Sequence, residues 1–308
     1  MRVTALAGGT GAAKLLRGFV ADAGAHDLTV IGNTGDDTIV WGLHVSPDLD
    51  TVCYALGGWL DVERGWGRRD ESFHARDAIA ILGAPTWFNL GDRDLATHLV
   101  RTEALARGET LSTVTRDLAA RLGVGATILP MTDAPIRTRV RTPDGWLAFQ
   151  EYFVRERAQP KVLDVEYEGA EHARPAAGVL EALRDADVIV VCPSNPVTSV
   201  GPILAVPGIV DALSAATAPV VAVSPIVGGA AVSGPAGELM RSRGWPVSPV
   251  GVAQAYAPWL KTLVIEHRDG EVAPELAARG VRAVLANTIM RDRDTERSLA
   301  NVILESVR

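Results

Sequence analysis

Cysteine is almost absent: the 308 residues include only two, Cys53 and Cys192. Two thiols this far apart offer neither a metal-type spacing nor a disulfide framework, so a reducing cytoplasm is the expected setting. Cys192 ends the apolar run 188–191 and reads as a small core residue. Positive charge is also short. The 30 Lys and Arg against 37 Asp and Glu leave a net charge of −7, without the basic excess of a general nucleic-acid binder. A local positive site for a phosphorylated ligand remains compatible with that balance. Long apolar runs are missing too, none approaching the roughly 20 residues of a membrane helix. The opening MRVTALAGG is interrupted by glycine too early for a secretory signal. The expectation is a soluble, cytoplasmic protein with no nucleic-acid or membrane partner.

What is present suits a large core, with 47% hydrophobic and 22% charged residues. Residues 3–6 form a short apolar run that gives way to Gly8-Gly9-Thr10-Gly11, and a helical pattern follows with Leu15, Leu16, Phe19 and Val20 on one face. A second apolar run at 28–31 ends in Asn33-Thr34-Gly35-Asp36-Asp37. Further strand patterns stand at 188–192, 220–223 and 263–265, with helices expected near 176–183, 234–243 and 295–307, the last capped by Thr295. Short apolar strands alternating with helices predict an α/β, Rossmann-like, doubly wound and mostly parallel sheet. The middle has another texture: helical patterns at 95–106 and 111–122, then a hairpin at 136–151 turning on Pro143-Asp144-Gly145. The chain therefore reads as one domain over 1–308, with a helical and β-hairpin insertion at about 60–170.

Glycines after a first strand allow a tight turn and let backbone N–H groups approach a phosphate, aided by the positive end of the following helix. Lys14 falls early on that helix. The segment is neither a P-loop nor a complete GxGxxG, since Lys14 stands where the third glycine belongs. Two acidic pairs follow, Asp36 with Asp37 and Asp48 with Asp50. Carboxylates at strand ends of an open sheet lie where ligands bind. Two or three of them suit Mg²⁺, and one suits the role of orienting or deprotonating a hydroxyl; turn or cap roles are the plain alternative. In the stretch 87–98, Trp87 and Phe88 offer a stacking surface, Arg93 a phosphate or heterocycle partner, Asp94 a helix cap, and His98 a helix-surface partner four residues on. After the 188–192 strand, Ser194, Asn195, Thr198 and Ser199 supply polar groups, and 224–229 ends a further strand in glycines. Small and polar strand ends repeated in this way form a nucleotide crevice.

Taken together, these segments resemble the 2-phospho-L-lactate transferase family of coenzyme F(420) biosynthesis. The matching stretches are GGTGAAKLL at 8–16, NTGDD at 33–37, PDLDTVCYALGG at 47–58, WFNLGDRDLATHLVRTE at 87–103, LPMTD at 129–133, PSNPVTSVGPIL at 193–204 and SPIVGG at 224–229. Ala12 stands where the family commonly has a further glycine, a change a helical backbone tolerates. The resemblance implies a transferase whose donor is a guanosine diphosphate ester of lactate or enolpyruvate. Its acceptor would be the deazaflavin Fo, attacked through the terminal hydroxyl of its ribityl tail with release of GMP. On that reading Gly9, Thr10, Gly11 and Lys14 bind the diphosphate, Asp50 and Arg93 the deazaflavin, and Ser194 and Asn195 the nucleotide. Asp37 and Asp50 are the catalytic candidates, Asp36, Asp37 and Asp48 the Mg²⁺ candidates, and a homodimer is the expected assembly.

Two rival readings share the opening motif. One is a non-catalytic nucleotide-sugar or dinucleotide-binding regulator of the related GGTG group, against which the 87–99 stretch argues. The other is an NAD-dependent dehydrogenase. It is disfavoured because the third glycine is missing and Asp36 lies beyond the usual ribose-binding position.

Overall fold

The computed structural model describes residues 1–21 and 26–308. Seven strands form the central sheet: β1 (Arg2–Ala7), β2 (Asp27–Gly32), β3 (Thr127–Pro130), β4 (Val188–Val191), β5 (Val220–Val223), β6 (Thr262–Glu266) and β7 (Arg282–Ala286). They lie in the order β7-β6-β5-β4-β1-β2-β3, and every neighbouring pair is parallel. The chain winds from β1 out to β3, returns past β1, and winds the other way through β4 to β7. This is the doubly wound Rossmann-like order, and its reversal falls between β1 and β4.

Both faces of the sheet are covered, as an all-parallel sheet requires. Alternate residues of each strand serve opposite layers. Val3, Ala5 and Ala7 pack with Val190 and Val221 beneath α1 (Gly9–Val20), whereas Leu6, Ile189, Val191 and Ala222 join the cluster on the far side. On α1, Leu15, Leu16 and Phe19 fill the sheet-facing stripe, and Ala12 is buried with them. The last helix, Arg293–Glu305, lies against α1. A side chain at Gly18 would sit 2.3 Å from the Glu296 carbonyl, so the two helices meet through bare backbone. Beside that contact Arg17 forms a buried ion pair with Glu296. The cap of this helix is Asp292, which accepts from the Thr295 N–H at 2.9 Å; Thr295, the expected cap, is its partner in the capping box.

The stretch expected as one insertion is two excursions, because β3 returns to the sheet in its middle. The first runs from β2 to β3 through a small hairpin (Thr38–Val40 with Leu43–Val45), α2 (Pro47–Leu56), α3 (His74–Ile81), α4 (Asp92–Ala106) and α5 (Leu111–Arg121). The second, between β3 and β4, carries a three-stranded antiparallel sheet. Its central strand Arg137–Thr142 pairs with Gly145–Ala148 across the expected turn and with Asp164–Glu168, a strand without a clear sequence signal. Among the described residues no helix is long and apolar enough to cross a membrane.

Candidate active site

The carboxyl ends of β1, β2 and β4 bring the glycine turn, Ser194 and Asp48 together. Gly9 has a φ of +72°, a left-handed turn that glycine adopts without strain, and it opens α1. Gly11 has a different reason: a Cβ there would come within 2.4 Å of the Pro193 carbonyl after β4. Ser194 locks the same contact, its hydroxyl donating to the Gly8 carbonyl at 2.7 Å. The amide of Gly9 is already engaged, donating to Asp48 Oδ1 at 2.7 Å. A carboxylate thus stands where the helix N-terminus attracts an anion. Lys14 lies further along α1 and donates to the Met290 carbonyl at 3.2 Å, which ties it to the C-terminal segment after β7.

Around this turn lie Asp36, Asp37, Asp48 and Asp50, all buried. Asn33, the residue after β2, fixes one of them. Its amide donates to Asp48 Oδ2 at 2.9 Å and to the Thr198 carbonyl at 3.2 Å, while its Oδ1 accepts from Gly35 N–H at 2.8 Å. Asp36 Oδ1 is buried without a hydrogen-bond partner. Burial, and then the charge of Asp48, raise the Asp36 carboxyl well above its usual range, and burial raises Asp48 also. Asp37 turns the other way. Its Oδ2 accepts from the Ser46 hydroxyl at 2.7 Å and lies 3.6 Å from His44 Nε2, its Oδ1 is unpartnered, and burial pushes it up to about 8. His44 itself is depressed to about 4, by burial and then by the charges of Arg101 and Arg137, which leaves its ring neutral at pH 7.

Asp37 thus differs in its partners from Asp36 and Asp48, the other expected Mg²⁺ candidates. Among the described residues no three His, Cys, Asp or Glu side chains are arranged to hold an ion, since Asp37 faces Ser46 and His44 rather than Asp36 and Asp48. The remaining pair still fits Mg²⁺, which takes one or two carboxylates and completes its shell with water and substrate phosphate. An unpartnered Asp36 oxygen beside a second carboxylate is a donor set of that kind.

Asp50 is differently placed from a free base. Both its oxygens accept from Arg101, Oδ2 at 3.0 Å, in an ion pair that is almost fully buried. His98 Nδ1 lies 3.2 Å from the same guanidinium, and His98 Nε2 lies 3.3 Å from Asp94 Oδ1. Asp94 also accepts from the Tyr54 hydroxyl at 2.6 Å. Asp94 is therefore a member of a buried network rather than a cap, and His98 is 1% exposed rather than on the helix surface. Asp94, His98 and Arg101 fall at i, i+4 and i+7, so the stripe that carries them was readable as one polar helix face. Arg101, Asn33, Ser46 and His44 are residues the sequence reading did not single out. Arg93 lies apart from the carboxylates, half-exposed at the start of α4, with Nη1 3.6 Å from Asp70 and 3.3 Å from the Arg69 carbonyl. Asn195 closes its own turn, Oδ1 accepting from Val197 N–H at 2.9 Å. Trp87 and Phe88 meet edge to face at 5.7 Å and so pack against each other.

Comparisons with known proteins place the chain in a family. The family model described as 2-phospho-L-lactate transferase CofD matches residues 3–305. A phosphoenolpyruvate transferase of Streptomyces griseus is 46% identical over 311 residues, covering 99% of this chain and 98% of its own. A 2-phospho-L-lactate transferase of Methanococcoides burtonii is 40% identical over 297 residues, covering 96% of each. Among solved structures, a UPF0052-family protein of Bacillus halodurans superposes with a TM-score of 0.67 at 19% identity over 98% of both chains, a likeness of fold. A family match running nearly end to end, with relatives at 40–46% identity over almost their whole length, makes this chain an enzyme of the 2-phospho-L-lactate transferase family.

Proposed function

We propose that the enzyme transfers a phosphorylated three-carbon acid from a guanosine diphosphate ester to the terminal ribityl hydroxyl of the deazaflavin Fo, in coenzyme F(420) biosynthesis. The acid we propose is enolpyruvate. Relatives named phosphoenolpyruvate transferase match at 46–48% identity, those named 2-phospho-L-lactate transferase at 39–40%.

In the transfer, the hydroxyl oxygen forms a bond to the phosphorus bearing the acid. The bond from that phosphorus to the bridging oxygen breaks, and GMP leaves with the bridging oxygen. The observation that carries the assignment of roles is the contrast between two carboxylates. Asp50 is held on both oxygens by Arg101, whereas Asp37 keeps one oxygen unpartnered and is anchored through the other. Asp37 is accordingly the group that accepts the hydroxyl proton in its ionised form, which a carboxyl pushed up to about 8 reaches mainly above neutral pH. Asp50 orients the acceptor together with Arg93, while Thr10 and Gly11 offer their amides to the diphosphate and Ser194 and Asn195 line the nucleotide side. Asp36 and Asp48 would hold Mg²⁺, whose chemistry there is to offset charge on phosphate oxygens. With little covalent work to do, the chain's contribution is positioning and proton acceptance.

The test is turnover by the purified protein with Fo, Mg²⁺ and either guanosine diphosphate ester, read by chromatography of the deazaflavin product. Product from the enolpyruvyl ester is expected. Nucleotide binding without product from either ester would return the chain to a non-catalytic nucleotide binder.

A further inference from the structure

A diphosphate needs positive charge, and the surroundings of the glycine turn are short of it. The Gly9 amide faces Asp48, Arg101 is matched by Asp50, Arg137 acts on Asp37 and His44, and Lys14 donates to a carbonyl. Cations stand instead on a segment that the motifs did not cover, residues 59–70. This segment folds back on itself through a bridge between Leu60 and Arg68, with Asp61 N–H donating to the Gly67 carbonyl at 3.1 Å and Arg69 N–H to the Trp59 carbonyl at 2.7 Å. Its turn reaches the phosphate loop: a Cβ on Gly65 would lie 3.6 Å from the Thr10 methyl.

Two arginines of the segment rest on aromatic rings and carbonyls, with the charge of Glu71 also acting on Arg68. The Arg68 guanidinium lies 5.0 Å from the Trp59 ring centre and 5.7 Å from that of Tyr54, and it donates to the Arg93 carbonyl at 3.3 Å. Arg69 lies 5.3 Å from the Trp59 ring, and its carbonyl accepts from Arg93. Among the described residues neither guanidinium has a carboxylate at ion-pair distance, in contrast to Arg64, which pairs with Asp61, and Arg93, which is near Asp70. The Arg68 Nε is buried without a hydrogen-bond partner. Two cations stacked on aromatic rings, one with an unused buried donor, thus stand on the segment whose turn touches Thr10. Arginine suits this role, because its planar fork engages phosphate oxygens two at a time.

We propose that segment 59–70 is a phosphate-gripping flap in which Arg68 and Arg69 bind the diphosphate of the donor over Thr10. The inference rests on the reading of the site as one for a guanosine diphosphate ester. On this reading the flap selects between nucleotides by phosphate number, holding GDP more tightly than GMP. The experiment is calorimetric titration of the full chain with GDP and with GMP, for the unaltered protein and for Arg68→Gln and Arg69→Gln. Arg69 is exposed, so its variant folds even if removing Arg68 from between two rings disturbs the segment. Arg68→Lys adds a conservative control.

The unaltered protein is expected to prefer GDP over GMP by at least tenfold. Each glutamine variant should reduce that preference several-fold through weaker GDP binding, with GMP affinity unchanged, and Arg68→Lys should recover part of it. An equal loss for both nucleotides, or a preference that both glutamine variants retain, overturns the flap while leaving the transferase reading intact. Failure of the unaltered protein to bind GDP at all overturns both.

Discussion

At the scale of single residues, the site separates carboxylates that look alike in sequence. Asp37 lies in the loop after β2 and Asp50 in the first turn of α2, yet Asp50 is held on both oxygens by an arginine and Asp37 keeps an oxygen unpartnered. Replacing Asp37 by Asn preserves shape and the Ser46 contact while removing the proton acceptor, so turnover should fall by roughly 10²–10⁴-fold with donor affinity within about threefold of the unaltered enzyme. Single-turnover kinetics with nucleotide titration would show it, and a variant that loses binding and turnover in proportion would reassign Asp37 to substrate binding. Much of this crevice was legible in the chain. Glycines and acids at strand ends announce a ligand site whatever their detailed roles. The sharing of roles was not legible, because it depends on partners far away in sequence. Arg101 reaches Asp50 across 51 residues, Asn33 reaches the Thr198 carbonyl across 165, and the close approach of Pro193 that requires glycine at position 11 is a tertiary contact.

At the scale of elements, the junction of α1 with the last helix is held by an ion pair whose side chains are 7% and 3% exposed. Glu296→Ala leaves the Arg17 guanidinium buried without its carboxylate, a change that should destabilise the fold by about 3–5 kcal/mol in urea denaturation. The carboxylate crevice lies elsewhere, so the folded variant should keep its nucleotide affinity. A loss under about 1 kcal/mol would mean that water reaches the guanidinium once the glutamate is gone. The pattern of elements here followed from periodicity: β1, α1, β2, β4, β5 and β6 all lie where apolar runs and helical stripes put them. β3 and β7 were not singled out. β3 is four residues at the sheet edge, and β7 has the exposure pattern of an edge strand, with its arginine and a leucine facing outward. Strand Asp164–Glu168 is charged at both ends and gains its pairing from Arg137–Thr142 rather than from its own composition.

At the scale of the molecule, the buried acids make stability depend on pH in a direction opposite to that of salt-bridged carboxylates. An acid whose folded pKa is raised keeps its proton in the folded state after the unfolded chain has lost it, near pH 4. Stability therefore falls as pH rises through that window, which for Asp37 ends at about 8. In metal-free buffer Asp36→Asn, which removes a buried titratable group from the cluster, should raise the melting temperature at pH 8 by roughly 2–4 °C or more, with the difference shrinking toward pH 5. Mg²⁺ should narrow the same gap at pH 8 by stabilising only the protein that retains both carboxylates. Calorimetric scans at the two pH values would reveal either trend, and a variant less stable at pH 8 would show that Asp36 is compensated in a way the unpartnered oxygen does not suggest. The doubly wound order has one more consequence, for the newborn chain. β1 lies between β2 and β4, and the Gly8–Ser194 lock joins residues 186 apart. At ribosomal rates of about 5–20 residues per second, the first strand waits roughly 10–40 s with one edge open before its second neighbour exists. Through that interval the glycine turn has no floor, so substrate recognition is acquired late in synthesis and all at once.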